Sequence, residues 1–271
     1  MPCLRLCVMG GLCSRLRAVV GAIGFCETTN RDLVIHWIPR EHRLIEQKGK
    51  FEATFSDIWK LPDIAIETSA WEKFPKTALE IDAKDDLSIY TCHPEDFQPQ
   101  FFDKPLGYYA NNLVPSSETQ ERIDSVVIPD ECIGIHIRHT IAQSEAEPVE
   151  WYLERLQIED EPLFLSADSK DVENQITSAF PDTSVQDKSY IYDRDGIIRS
   201  AADLYLLSKC NRIFGSFRSS YSQMAGWMQS DGPPSETWMP NGKNFRLPEN
   251  WPQGRNYEDS RNVRTDREDS C

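Results

Sequence analysis

Cys132-Ile133-Gly134-Ile135-His136-Ile137-Arg138-His139-Thr140 decides the reading of this chain. Alternation puts Ile133, Ile135 and Ile137 on one face and His136 and Arg138 on the other. The run is short, follows Pro129 and gives way to the polar segment Thr140–Glu147, so it reads as a core strand. Both polar side chains leave it near its carboxyl end, where open α/β sheets bind ligands. An arginine fixed there offers a planar fork of donors suited to two oxygens of a phosphate. The same residues equally allow Arg138 to pair with a structural carboxylate and His136 to be a satisfied core histidine.

The chain has 271 residues, enough for one large or two smaller α/β domains with an unstapled core. Hydrophobic residues make up 39% and charged residues 27%, a soluble globular balance. With 29 basic and 44 acidic residues the net charge is −15, which argues against nucleic acid or an anionic membrane as partner. Any positive field for a phosphorylated ligand must therefore be local, made by placed arginines and helix amino ends. The cysteines (Cys3, Cys7, Cys13, Cys26, Cys92, Cys132, Cys210 and Cys271) form no CxxC pair and no zinc-type spacing, and several lie in apolar runs. A reducing compartment is expected. Arg5, Arg15 and Arg17 interrupt the apolar amino end, and no run has membrane-spanning length, so a cytoplasmic location without signal peptide or membrane insertion is expected.

Leu4–Met9 reads as a strand running into Gly10-Gly11-Leu12-Cys13-Ser14, after which Leu16, Val19, Val20 and Ile23 mark one helical face. Strand, glycine turn and helix bring backbone N–H groups and a helix amino end above the first strand. The turn is neither a Walker loop nor a full dinucleotide fingerprint. Two glycines also simply permit a tight turn, with Ser14 as helix cap. Arg15 and Arg17 stand where the helix dipole disfavours cations, so one of them is expected to answer to an anion. Asp32–Ile38 and Leu87–Cys92 are further strands. The rest of Pro39–Gln100 is irregular, with His36, His42 and His93 as ordinary histidines, and residues 101–130 form the crossover to the second half.

That half is more regular. A helix starts at Pro148, a strand spans Pro162–Asp168, a helix carries Val172, Ile176, Ala179 and Phe180, and another spans Ser200–Lys209 with a capping-box-like Ser200…Asp203 opening. Arg212–Ser216 is a buried strand, and Phe217–Ser222 turns into the helix Gln223–Gln229. This β-α order predicts an α/β class with a parallel sheet covered on both faces. Arg138–Thr140, Ala167–Ser169 and Ser216–Ser222 then share one rim, facing the glycine turn if the halves oppose each other. Ser219 or Ser220 can cap a helix, cradle a diphosphate, or both. Asp168 is either the cap of the next helix or an acceptor for a nucleobase or ribose. No DxD-type manganese site is evident.

His136-x-Arg138, Phe164-Leu165-Ser166-Ala167-Asp168 and the block Asp203…Leu206-Leu207-Ser208…Gly215-Ser216…Ser219-Ser220…Ala225, with the opening Gly10-Gly11-Leu12…Arg15-Leu16-Arg17, together resemble the GDP-fucose fucosyltransferases. The branch is that of the bacterial nodulation and eukaryotic α1,6 enzymes and, more distantly, the protein O-fucosyltransferases. The resemblance is fullest over residues 130–228 and weak in the first quarter. It implies a GT-B-like fold: two Rossmann-like domains with parallel sheets facing across a cleft. Residues 1–128 would form the acceptor-side domain, 129–250 the nucleotide-sugar domain, and 251–271 a disordered tail.

Carried over, Arg138 looks like the arginine that grips the donor diphosphate and supports departure of GDP, and His136 like the histidine beside it. Asp168 falls at the guanine end, and Ser219 and Ser220 at the phosphates; Gly11 and Arg15 are the donor-side candidates of the first half. The implied reaction is inverting transfer of fucose from GDP-fucose to a glycan or protein hydroxyl, without metal or cofactor. Ser144-Glu145-Ala146 resembles a Thr-Glu-Ala run of the α1,6 branch and makes Glu145 the candidate base, with Glu147 its rival. Two departures stand out: Cys13-Ser14 replaces the usual asparagine of the glycine loop, and His139 replaces the second arginine of the α1,6 branch. Transfer from another nucleotide sugar, or an inactive sugar-nucleotide or glycan-binding protein of the same fold, are the alternatives.

Overall fold

The computed structural model describes residues 1–8, 10–37, 51–61, 64–67, 87–91, 97, 102–139, 148–191, 193–216, 219–229 and 237–238. The first strand, β1 (Cys3–Val8), ends at Gly10, whose φ of 83° favours a residue without Cβ. Gly11 is then the N-cap of α1 (Leu12–Thr29), with no side chain to offer. Ser14 therefore lies inside the first turn and caps nothing. The helix ends on Asn30, which accepts the left-handed conformation at φ 53°. Its apolar surface extends well beyond the face marked by Leu16, Val19 and Val20, because Leu12, Ala18, Ala22 and Phe25 are buried as well.

β2 (Asp32–His36), the short α2 (Phe55–Ile58), β3 (Trp59–Lys60), β4 (Ala65–Glu67) and β5 (Leu87–Thr91) follow. The first sheet has the order β4-β2-β1-β5 and is parallel throughout. The crossover contains α3 (Leu106–Ala110), β6 (Val114–Pro115), paired antiparallel with β3, and α4 (Ser117–Asp124). Ser116 caps α4 by accepting the Thr119 N–H at 3.1 Å.

The second half runs β7 (Ile133–Ile137), α5 (Val149–Leu156), β8 (Leu163–Ala167), α6 (Lys170–Ala179), β9 (Ser184–Val185), α7 (Arg194–Lys209), β10 (Arg212–Phe214), α8 (Ser220–Met228) and β11 (Thr237–Trp238). Its sheet is parallel, in the order β11-β10-β7-β8-β9. The chain leaves β7 towards β8 and β9, then returns to β10 on the other side. Strand order thus reverses between β7 and β10, and such a switch point opens a crevice at the strand carboxyl ends.

The two faces separate as the alternation demands. Ile133, Ile135, Ile137 and Leu165 pack with Val149, Tyr152 and Leu156 of α5 and Val172 and Ile176 of α6. Phe164 faces the other way, into a larger cluster with Leu204, Leu207, Met224 and residues of α1, α3 and α4. Helices cover both faces, as the parallel-sheet reading requires. α8 packs on α1 and α3, and α7 on α4, so the second half is joined to the first through helices.

Two expected boundaries are corrected: α8 opens at Ser220 and not at Gln223, with Ser219 as its cap, and α7 opens earlier than expected. Asp193, not Ser200, opens α7: its Oδ1 accepts the Gly196 N–H at 2.8 Å, while Ser200 sits a turn inside, donating to the Gly196 carbonyl at 2.8 Å. A Cβ on Gly196 would stand 1.9 Å from the Ile191 carbonyl oxygen, so the close approach of the preceding loop explains a glycine inside this helix. Asp203 is accordingly mid-helix and buried. The expected tail, 251–271, lies outside the described residues.

Gly134 tests the register of β7 against α7. A Cβ there would meet Leu207 Cδ2 at 2.9 Å and Cys210 Sγ at 3.0 Å. Gly134→Ala should destabilise the fold by about 1–3 kcal/mol through overpacking, read as a lowered urea midpoint; an unchanged midpoint would contradict this packing.

Candidate functional site

At the switch point the ends of β7 and β10 are tied by one hydroxyl. Ser216 Oγ accepts the Arg138 backbone N–H at 2.8 Å and donates to the His136 carbonyl at 3.1 Å. Tyr152 Oη reaches Ser216 Oγ at 3.2 Å and the Gly215 carbonyl at 3.3 Å from beneath. On the β8 side, Asp168 Oδ1 accepts the His139 N–H at 2.8 Å, and the Asp168 N–H donates to the Ile137 carbonyl at 3.3 Å. The backbone that launches the Arg138 side chain is thus pinned on both flanks. Asp168 secures the strand end; the N-cap of α6 is Ser169.

His136 points into the protein on the α7/α8 side. Its Nδ1 lies 2.8 Å from Ser222 Oγ, and its ring stacks on Tyr221 at 4.5 Å and 22°. The Ser216 N–H donates to the same Ser222 oxygen at 3.0 Å. Burial, reinforced by the positive charges of Arg138 and Lys188, pulls the His136 pKa down to about 3. At neutral pH it is a neutral, buried ring that fixes the start of α8 against β7. The core-histidine reading describes its contacts; its Tyr221 stack also places it next to the first turn of α8.

That first turn meets the first turn of α1. Ser14 Oγ and Ser220 Oγ are 3.4 Å apart, and Arg17 Nη1 donates to Gln223 Oε1. Each pair is separated by the same 206 positions, so the two helices lie side by side in the same direction with their amino ends together. Ser219 is the N-cap of α8 and is 1% exposed; its Oγ accepts the Tyr221 N–H at 3.2 Å. Ser220, the next residue, is half-buried and faces α1. The start of α8 therefore lies beside the start of α1, whose N-cap Gly11 is half-buried.

The two arginines of α1 behave differently. Arg15 is 3% exposed, donates from Nε to the Gly10 carbonyl at 2.9 Å, and lays its guanidinium over Phe51 at 4.1 Å and Trp37 at 5.2 Å. It answers to rings and a carbonyl of its own half. Arg17 turns to the second half. Its charge and that of Arg138 both act on the Cys13 thiol, whose pKa burial nonetheless pushes far up.

Arg17 and Arg138 differ from the arginines that carry ion pairs. Arg122, Arg155, Arg194, Arg199 and Arg212 each meet a carboxylate at 3.0 Å or less. Arg17 and Arg138, both half-buried, meet none among the described residues. A buried ion pair lies deeper: Lys188 Nζ contacts Asp203 Oδ2, which also accepts from Ser166 Oγ at 3.0 Å, and Asp203 is 1% exposed. Burial raises the Asp203 pKa against the lowering effects of Lys188 and Ser166. Nearby, Tyr190 Oη donates to Glu173, and burial with that carboxylate raises the tyrosine pKa. No group of three or more His, Cys, Asp or Glu among the described residues is arranged to hold a metal ion, and no helix among them is long and apolar enough to cross a membrane.

Of the expected residues, Gly11, His136, Arg138, Ser219 and Ser220 are gathered around the two helix amino ends and the strand rim. Asp168 braces that rim, and Arg15 is drawn into the first half. Glu145, Glu147 and the loop 217–218 lie outside the described residues. Arg17 was expected, with Arg15, as one of two cations of which one answers to an anion, and the run Ser216–Ser222 as a hydroxyl-rich turn at the rim; the structure starts α1 at Leu12, which puts Arg17 in the second turn. Asp203 stood only in the family-like block, and Lys188 carried no sequence signal.

No family model and no curated sequence matches this chain. Among solved structures it is similar to NodZ alpha-1,6-fucosyltransferase soaked with GDP-fucose, at 18% identity over 84% of this chain and 93% of that one, TM-score 0.56. Fucosyltransferase NodZ from Bradyrhizobium gives 18% identity, 83% and 93% coverage and TM-score 0.54. A mutant of Arabidopsis thaliana FUT1 in complex with GDP follows at 10% identity, 88% and 70% coverage and TM-score 0.54. POFUT1 in complex with GDP gives 10% identity, 88% and 98% coverage and TM-score 0.52. At these identities the likeness establishes the fold: an α/β chain with parallel sheets, shared with the structures of the family that the sequence resembles.

A neutral His136 makes stability depend on pH. Its folded pKa lies below the ordinary 6.5, so its contribution is complete above that value and is lost as pH falls towards about 3. The loss attributable to it is at most about 1.4 kcal/mol per pH unit. Between 6.5 and about 5, above most carboxylate titration, His136→Asn should show a shallower fall in stability than wild type; identical slopes in urea denaturation would contradict a buried neutral histidine.

Proposed function

We propose that this chain is an inverting glycosyltransferase that moves fucose from GDP-fucose to a hydroxyl of a glycan or protein acceptor. The observation that carries the reading is Arg138: a guanidinium without a carboxylate partner among the described residues, held at the switch point of a parallel sheet, in a protein of net charge −15. Such an arginine is matched to a diphosphate. The fold neighbours crystallised with GDP or GDP-fucose support a guanine-nucleotide donor.

In this reading residues 129–250 bind the donor and residues 1–128 present the acceptor across a cleft. As the bond between the anomeric carbon and the β-phosphate oxygen breaks, charge grows on that oxygen, and the Arg138 fork with the amino ends of α8 and α1 stabilises it. The acceptor hydroxyl attacks the opposite face of the sugar, which inverts the anomeric carbon. A carboxylate takes the hydroxyl proton, and Glu145 is assigned that role, with Glu147 as the neighbour to exclude. GDP leaves with the electron pair of the broken bond. The cations and helix ends supply the neutralisation that a metal provides elsewhere, so the reaction runs without metal or cofactor. Asp168 and Ser219 keep the rim and the α8 start in place, and Ser220 and Gly11 line the approach to the phosphates.

Calorimetric titration with GDP, GDP-fucose, UDP and ADP tests the donor. GDP and GDP-fucose should bind more tightly than UDP and ADP, and Arg138→Ala should weaken GDP by about 10- to 100-fold, the worth of a charge-assisted hydrogen bond. Absence of nucleotide binding by wild type would overturn the assignment. Glu145→Gln should retain GDP affinity and lower kcat by about 100-fold or more; unchanged turnover would place the base elsewhere. GDP binding without donor hydrolysis or transfer by wild type would favour a binding protein of the same fold, to which the Cys13-Ser14 and His139 departures are suited.

A further inference from the structure

We propose that Arg17, not Arg15, is the second cation of the donor diphosphate site, brought to it from the first half of the chain and aimed by the neutral amide of Gln223. The inference rests on the nucleotide-sugar reading above and goes beyond it by assigning a group on the opposite side of the helix pair.

Charge placement is the first support. In this acidic chain α2, α4, α5, α6 and α7 each carry an acidic residue in the first turn, where the helix dipole favours it. α1, α8 and the five-residue α3 carry none, and the amino ends of α1 and α8 lie together. α1 instead places Arg17 near that end. Two positive helix ends with an arginine between them repel one another unless an anion joins them.

The partner of Arg17 is the second support. Gln223 Oε1 accepts from Nη1, which fixes the direction of the guanidinium and leaves its charge intact. A carboxylate at that position would orient the arginine equally well and neutralise it. The Arg17 Nε–H is buried without an acceptor, a desolvation cost left standing at this position.

The third support is convergence. The positive charges of Arg17 and Arg138 both reach Cys13, from opposite halves of the chain. A nucleoside diphosphate carries more negative charge than one guanidinium neutralises. Arg15 cannot serve, since its guanidinium lies over Phe51 and Trp37.

The test compares GDP with GMP, which lacks the second phosphate, by calorimetry over a range of salt concentrations in wild type, Arg17→Met, Arg17→Lys, Gln223→Glu and Arg138→Ala. Arg17→Met should weaken GDP about 10-fold or more, weaken GMP less, and flatten the salt dependence. Arg17→Lys should recover part of the loss, and Gln223→Glu, which retains arginine and its orientation, should reproduce it. GDP and GMP affinities unchanged in both Arg17→Met and Gln223→Glu, with GDP binding lost in Arg138→Ala, would overturn the role of Arg17 and leave the donor reading standing. Wild type that binds no GDP overturns both. Should Arg17→Met fail to fold, Gln223→Glu alone decides: GDP affinity equal to wild type sinks the proposal.

Discussion

The Ser216 hydroxyl holds together the part of the molecule on which its chemistry depends. β7 and β10 adjoin where the strand order reverses, and regular pairing between them reaches only Phe214 opposite Ile135. Beyond that point a sheet has backbone groups to satisfy and a crevice to keep open. Ser216 does both, accepting from Arg138 N–H and donating to His136 C=O, with Tyr152 supporting it from the α5 side. Asp168 performs the matching service for His139 on the β8 side. Arg138 is presented from a backbone pinned on both flanks, so the freedom lost on meeting a ligand is that of its side chain alone.

Around this fixed end the electrostatics are selective. A chain with net charge −15 has carboxylates to spare, and Arg122, Arg155, Arg194, Arg199 and Arg212 each take one. Arg17 and Arg138 are left charged at a place where two helix amino ends add positive potential. Among the described residues, positive charge left unneutralised is concentrated here, which is the environment the proposed phosphate-bearing ligand would favour. The buried Lys188–Asp203 pair and the neutral His136 lie behind that surface. They organise the α7 and α8 side of the rim without adding net charge to it.

How far the sequence reveals this depends on the range over which each signal acts. β7 is legible because alternation and flanking polar residues are local, and its two faces emerge as the period requires. The α8 cap is legible for the same reason, since Ser219 bonds only two residues ahead. The opening of α7 was not, because Gly196 argues locally against a helix and its reason is a backbone approach from Ile191. Arg15 and Arg17 are two positions apart on a helix, so they point to nearly opposite sides, about 200° apart. Which side meets Trp37 and Phe51 and which meets α8 is a tertiary fact. The three serines 216, 219 and 222 look interchangeable in a list of residues; their separate duties as strand clamp, helix cap and histidine partner come from the register of β10 beside β7. The Lys188–Asp203 pair joins a loop to a mid-helix residue and has no periodic signature at all.

The most direct measurement is a crystal structure of the full chain with GDP. Expected is the β-phosphate within hydrogen-bonding distance of the Arg138 guanidinium, at the joined amino ends of α1 and α8. A GDP diphosphate bound away from Arg138, or at the amino end of some other helix, would contradict the reading.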